Sequence, residues 1–234
     1  LHQALHSFPT RRSSDLVDKA LIVFAVKNPK PHLSLLDRFI VLAEKENLEI
    51  VIVLTKADLD DDNTLEKIAS IYELSGYKVI PVSNKTKLNI DKIKEELKGS
   101  VVVFAGPSGV GKSSLLNEID GNFQLQTGEV SDKIKRGKHT TRHAELLKLE
   151  CGGMVADTPG FSSLTLDDIE ENELKEYFIE FYNYDDCKFG SRCVHENEPG
   201  CGVKEAVESG DISKERYDSY LQLLNEIRQS KQGK

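Results

Sequence analysis

The sequence predicts an α/β protein: a parallel sheet with helices on both faces, followed by a small helical metal-binding module. Three observations carry that prediction. Apolar runs rich in branched residues alternate with helical stripes from residue 19 to residue 120. A glycine-rich loop, Gly106–Ser114, stands between an apolar run and a helical stripe. Three of the four cysteines cluster with a histidine near the C-terminus.

The elements follow in order. Leu1–Leu16 has no regular periodicity and no apolar stretch followed by a small-residue cleavage site, so it reads as a foreign or disordered stub rather than a signal peptide. Lys19–Val26, Glu49–Leu54, Lys78–Val82 and Ser100–Ala105 are continuous apolar runs, the signature of strands buried on both faces. Leu33–Asn47 places apolar residues at 35, 36, 39, 40 and 43, a helical stripe. Asn63–Ser75 repeats that pattern with Asn63 or Thr64 as its cap, and Asn89–Lys98 does so with Asn89 as its cap. Lys112–Asp120 follows the glycine-rich loop as a helix, and Met154–Ala156 is a further short apolar segment. Beyond it, Asp168–Tyr184 and Ser213–Gln229 read as helices. Tyr217, Tyr220, Leu221, Leu224 and Ile227 form a stripe suited to packing. The expected division is a stub at 1–16, a nucleotide-binding domain at 17–165 and a zinc-binding helical domain at 166–234.

Composition narrows the function. Lys plus Arg number 31 and Asp plus Glu 39, a net charge of −8, which argues against a diffuse electrostatic grip on nucleic acid or an anionic membrane. No apolar run approaches the ~20 residues that span a bilayer. Four cysteines in 234 residues make no disulfide framework. A reducing, cytoplasmic setting and no membrane partner are expected.

GPSGVGKSS fits the pattern G-x-x-x-x-G-K-[ST]. Gly106, Pro107, Ser108, Gly109, Val110, Gly111, Lys112, Ser113 and Ser114 would wrap a nucleotide's phosphates. Glycines let backbone N–H groups converge, and the helix N-terminus adds partial positive charge. Lys112 would reach the β- and γ-phosphates, and the Ser113 hydroxyl would ligate Mg²⁺. Thr55-Lys56-Ala57-Asp58 names the base: its carboxylate can accept from guanine N1–H and N2–H₂, a pair adenine lacks. Lys56 would lay its stem along the base plane. Thr55 stands where Asn is commoner. Ser83, at the end of the next strand, would sit under guanine O6.

Asp157-Thr158-Pro159-Gly160 supplies a carboxylate for Mg²⁺ and a glycine N–H near the γ-phosphate. Between Lys112 and Asp157 lies KIKRGKHTTR, residues 133–142, with five basic residues. Its Thr140 or Thr141 is a candidate Mg²⁺ ligand and γ-phosphate sensor. The order is rotated: the base motif and Ser83 precede the phosphate loop, which conventionally comes first. The domain is therefore a circularly permuted P-loop GTPase domain, a rotation made cheap by the usual closeness of domain termini. The switch segment then leads straight into the C-terminal module, so nucleotide state is expected to move that module.

Cys187, Cys193, His195 and Cys201 give C-x5-C-x-H-x5-C. Three thiolates and an imidazole form a closed tetrahedral set suited to one structural Zn²⁺. Cys151, apart from these, reads as a core residue.

GPSGVGKSS, HTT, DTPGF and CKFGSRCVHENEPGCGVKEAVESG, in this permuted order, resemble the RsgA family of bacterial GTPases that depend on the small ribosomal subunit. The resemblance runs from about Val17 to about Lys231. It implies GTP hydrolysis to GDP and phosphate, stimulated by the small subunit, and a role late in that subunit's maturation on its 16S rRNA. It implies a monomer and a catalytic role for His139, with Lys112. Phe161 stands where a water-orienting Gln is usual and cannot orient water. The resemblance also implies an OB-fold RNA-binding domain ahead of Val17. Sixteen residues are too few for a five-stranded barrel, so a truncated product is expected. The other reading is a GTP-gated rRNA-binding module with little or no hydrolysis in this shortened form. The five residues between Cys187 and Cys193 exceed the spacing the resemblance leads one to expect.

Overall fold

The computed structural model describes residues 17–122, 146–156 and 164–232. Its elements are β1 (Lys19–Ala25), α1 (Leu33–Lys45), β2 (Glu49–Thr55), α2 (Thr64–Leu74), β3 (Lys78–Pro81), α3 (Ile90–Leu97), β4 (Val101–Ala105), α4 (Lys112–Ile119), β5 (Leu146–Lys148), β6 (Met154–Ala156), α5 (Gly202–Ser209) and α6 (Lys214–Gln232).

Six strands form one sheet in the order β3-β2-β1-β4-β6-β5. β1 pairs in parallel with β2 through Lys19–Glu49 to Ala25–Thr55, and with β4 through Lys19–Val102 to Ile22–Ala105. All seven β1 residues are buried, as the unbroken apolar run requires. The sheet is not wholly parallel: edge strand β5 runs antiparallel to β6. Of its three residues only Leu147 is partly buried and the other two are exposed, so there is no long apolar run to read in the sequence.

Each face of the sheet buries its own core. α3 and α4 supply Ile90, Ile93, Leu97, Leu115, Leu116 and Ile119 to one; α1 and α2 supply Leu36, Phe39, Ile40, Ile68 and Tyr72 to the other. A third core joins Val41 of α1 to Leu166, Ile169, Phe178, Phe181, Val203, Tyr220, Leu224 and Ile227 of the C-terminal module. Cys151 packs, partly buried, against the first of these cores. Among the described residues no helix is long and apolar enough to cross a membrane.

Three local expectations fail. Asn63 and Asn89 do not cap their helices; both take left-handed backbone, φ 57° and 55°. Asp60 and Asp62 cap α2 instead, accepting from Thr64 N–H at 2.9 and 3.3 Å. The Asn89 amide donates to the Pro81 carbonyl at 2.7 Å, tying α3 to the end of β3. The span 168–184 is not one α-helix but short 3₁₀ turns, Leu174–Tyr177 and Ile179–Tyr184. Its run of aromatic and β-branched residues is a weak helix former. Phe178 and Phe181, three residues apart, both face the module's core, a spacing that a 3₁₀ turn aligns.

Candidate functional site

The carboxyl ends of β1, β2, β3 and β4 open onto one crevice, with the crossovers on either side of β1 running in opposite directions. That is where α/β sheets bind ligands. Gly106–Gly111 leaves β4 as the turn into α4. Gly106 has φ +140°, and a Cβ there would lie 2.1 Å from the Val23 carbonyl oxygen, so this backbone pair tolerates only glycine. Gly109 and Gly111 also hold positive φ, 77° and 101°. Lys112 folds back to donate to the Gly106 and Pro107 carbonyls at 2.6 and 2.7 Å. Burial pushes its ammonium down to about 8. Ser113 is buried at the first turn of α4.

The other motifs brace this loop. The buried Thr55 hydroxyl at the end of β2 donates to the Val110 carbonyl of the loop and lies 3.2 Å from the Phe24 carbonyl of β1. The Lys56 ammonium donates to Gly109 O at 2.9 Å and to Asn28 O. The Ser83 hydroxyl, fully buried, donates to Asp58 Oδ1 at 2.6 Å, and its backbone N–H reaches Leu88 O at 3.3 Å. It therefore helps to orient the exposed Asp58 carboxylate. One crevice thus gathers Thr55, Lys56, Asp58 and Ser83 around Gly106–Ser114. His139, Thr140, Thr141, Asp157 and Gly160, with the basic run 133–142, lie outside the described residues.

Cys187, Cys193, His195 and Cys201 are all buried, and their ligand atoms lie within 4.8 Å of one another. Cys187 Sγ is 3.5 Å from His195 Nδ1 and 3.8 Å from Cys201 Sγ; His195 Nδ1 is 3.3 Å from Cys201 Sγ. A tetrahedral zinc with bonds of about 2.3 Å to sulfur and about 2.1 Å to nitrogen has edges of roughly 3.8 and 3.6 Å. The residues present fit such an ion. Without a cation, burial pushes the Cys201 thiol up to about 12, and burial followed by the Lys175 charge depresses His195. The set favours neutral imidazole and needs a metal to hold thiolates. The Tyr217 and Tyr220 hydroxyls donate to the His195 and Val194 carbonyls at 2.6 and 2.7 Å, fixing the ligand loop on α6.

No sequence pattern pointed to the join between the sheet and this module. Arg216 of α6 is wholly buried. It donates to Asp37 of α1 at 2.7 Å and to both carboxylate oxygens of Glu180 at 2.7 and 3.0 Å. Its guanidinium lies 4.5 Å from the Phe178 ring centroid and 5.6 Å from that of Tyr72. Tyr72 O–H donates to the same Asp37 oxygen at 2.8 Å. One residue on, Arg38 donates to Leu164 O at 2.9 Å and pairs with Glu226 of α6. Charged residues at these helical spacings read in sequence as solvated faces.

The model of the RsgA GTPase family matches residues 10–167. The small ribosomal subunit biogenesis GTPase RsgA of Alkaliphilus metalliredigens is 51% identical over 216 residues, covering 92% of this chain and 74% of that protein. Its namesake from Thermotoga maritima is 48% identical over 213 residues, covering 90% and 72%. The crystal structure of YjeQ from Thermotoga maritima superposes with a TM-score of 0.77 at 45% identity, covering 90% of this chain and 71% of that one. The structure of YloQ, described as a circularly permuted GTPase, gives 0.74 at 40% identity, covering 92% and 69%.

Proposed function

The chain belongs to the RsgA GTPase family, and from that membership we propose that it hydrolyses GTP to GDP and phosphate in late maturation of the small ribosomal subunit, as a cytoplasmic monomer stimulated by that subunit and its 16S rRNA. The observation that carries the reading is the convergence, at one end of the sheet, of a phosphate loop with a base-reading carboxylate. Thr55 and Lys56 bind the loop itself, so base and phosphate sites are held in one register.

Asp58 accepts from guanine N1–H and N2–H₂, held in place by Ser83, while Lys56 covers the base plane. An adenine would leave the carboxylate desolvated and unpaired, a cost of order 1–3 kcal/mol. The N–H groups of 106–114 and the N-terminus of α4 surround the phosphates. Lys112 exchanges its two loop carbonyls for the β- and γ-phosphate oxygens. Ser113, Asp157 and Thr140 or Thr141 would hold Mg²⁺, which would supply neutralisation of the phosphate charge. His139 positions the attacking water when the small subunit is bound, a task Phe161 cannot perform. Cys187, Cys193, His195 and Cys201 hold one Zn²⁺ in a closed site whose part is structural. The proposed units are a permuted GTPase domain at 17–165 and a zinc module at 166–234. Arg38 ties the chain just beyond the switch to α6, so that nucleotide state reaches the module.

Phosphate release from GTP, measured with and without purified small subunits, tests the proposal. Stimulated turnover that His139→Ala abolishes while GTP binding persists is the expected result. Tight GTP binding with no turnover in either condition overturns it. Equal affinity for GDP and ADP overturns the guanine assignment.

A further inference from the structure

Donor accounting around the crevice singles out one more residue. The base motif carries Thr55 where an amide is usual. A hydroxyl has one proton, and Thr55 gives it to the Val110 carbonyl, with the Phe24 carbonyl 3.2 Å away. Thr55 has none left for a nucleotide. Ser83 is similarly occupied: its O–H goes to Asp58, its lone pair takes Thr86 N–H at 3.2 Å, and its N–H goes to Leu88 O. Yet the edge of guanine opposite the amino group presents two acceptors, O6 and N7. Asp58, an acceptor toward the base, serves neither.

Asn84 directly follows Ser83, at the same end of β3. Its Oδ1 is one of two buried side-chain polar atoms among the described residues that lack a hydrogen-bond partner. The other belongs to Asp37, in the Arg216 cluster. A buried carboxamide end without a partner is costly. Turning the amide by 180° exchanges its oxygen for an NH₂, so the same end can donate.

We propose that the Asn84 carboxamide donates to N7 of the bound guanine and is a specificity residue of this GTPase, supplying from the turn after β3 the donor that Thr55 cannot supply from β2. This rests on the guanine-binding reading above. The probe is 7-deaza-GDP, which replaces N7 by C–H and leaves the rest of the nucleotide intact. Competition against a fluorescent GDP gives both affinities for the full chain. The parent protein is expected to bind GDP about tenfold more tightly than 7-deaza-GDP, the worth of one hydrogen bond in a site shielded from water. In Asn84→Ala that preference disappears, with GDP weakened to the level of the analogue. In the double variant Asn84→Ala/Thr55→Asn, a second amide proton restores it. Asn84→Asp, of the same shape, loses the preference too, so loss does not hinge on a cavity. A parent protein indifferent to N7, or an Asn84→Ala variant that keeps the preference, overturns the proposal while leaving guanine recognition by Asp58 intact. Failure of GDP itself to bind overturns both.

Discussion

Replacing Arg216 by Met tests what holds the C-terminal module to the sheet. The substitution keeps most of the apolar stem but removes the charge facing Asp37 and Glu180, both buried. Removing one partner of a buried ion pair costs about 3–5 kcal/mol, because the remaining charge is desolvated and unpaired. Here two carboxylates are left, together with three aromatic faces that lose their cation. For a chain of this size each kcal/mol lowers Tm by about 2–4 °C, so a drop of roughly 6–20 °C is expected at pH 7. The pH dependence has a definite sign. Burial already raises the Asp37 carboxyl, and Arg216 is the main influence holding it down. In the variant the folded pKa lies further above the unfolded one, so the folded state binds the extra proton. The defect is therefore full above the folded pKa and shrinks as pH falls through it. Denaturant titrations of parent and variant from pH 5 to 8 read both effects. A loss under about 1 kcal/mol at pH 7, or a loss independent of pH, would refute the reasoning. A triple variant, Arg216→Met with Asp37→Leu and Glu180→Met, should recover much of the loss, since an apolar replacement leaves no orphaned charge.

Burial lowers Lys112 from its ordinary 10.5 to about 8. Between those values the unfolded chain keeps a proton that the folded, nucleotide-free protein has released, so stability should rise with pH across the window. Phosphates favour the ammonium, so GDP binding above pH 8 should take up a proton, seen by calorimetry in buffers of different ionisation enthalpy. Zinc should be present at one per chain by native mass spectrometry. Its removal by a chelator should expose the core around Phe178, Phe181 and Tyr220 to hydrogen exchange while β1–β4 stay protected. Thr55→Val leaves the Val110 carbonyl without its donor; it should cost about 1–3 kcal/mol and weaken GDP binding, whereas Thr55→Ser should retain both.

The helices and strands of the sheet domain were legible because local patterns determine them. An apolar run without alternation, such as Ala20–Ala25, has no polar face to show solvent, so both its sides must be covered. Gly106, Gly111 and Lys112 were legible because a phosphate loop needs particular backbone angles at fixed spacing. The metal set was legible for the same reason: four ligands within fifteen residues can close on one ion with little chain between them. Caps were not. Asn63 and Asn89 are good capping residues by type, but each takes left-handed backbone and its side chain makes no cap hydrogen bond. The span 168–184 misled because its apolar spacing suits either an α-helix or a 3₁₀ turn, and packing on the module's core chose between them.

By itself, then, the sequence determined β1 to β4 with the helices α1 to α4, the rotated succession of nucleotide motifs and the ligand set for a metal. Each is a short-range property, written in periodicity or in residues a few positions apart. Only the tertiary structure decided what the polar side chains do once assembled. Thr55 meets Val110 across 55 residues, Ser83 meets Asp58 across 25, and Arg216 meets Asp37 across 179. A hydroxyl proton or a guanidinium goes to whichever acceptor the folded chain brings within about 3 Å. In the linear sequence Arg216 is one charged residue among many on an exposed-looking helix; its burial exists only because α1, α6 and the turn at Glu180 enclose it together.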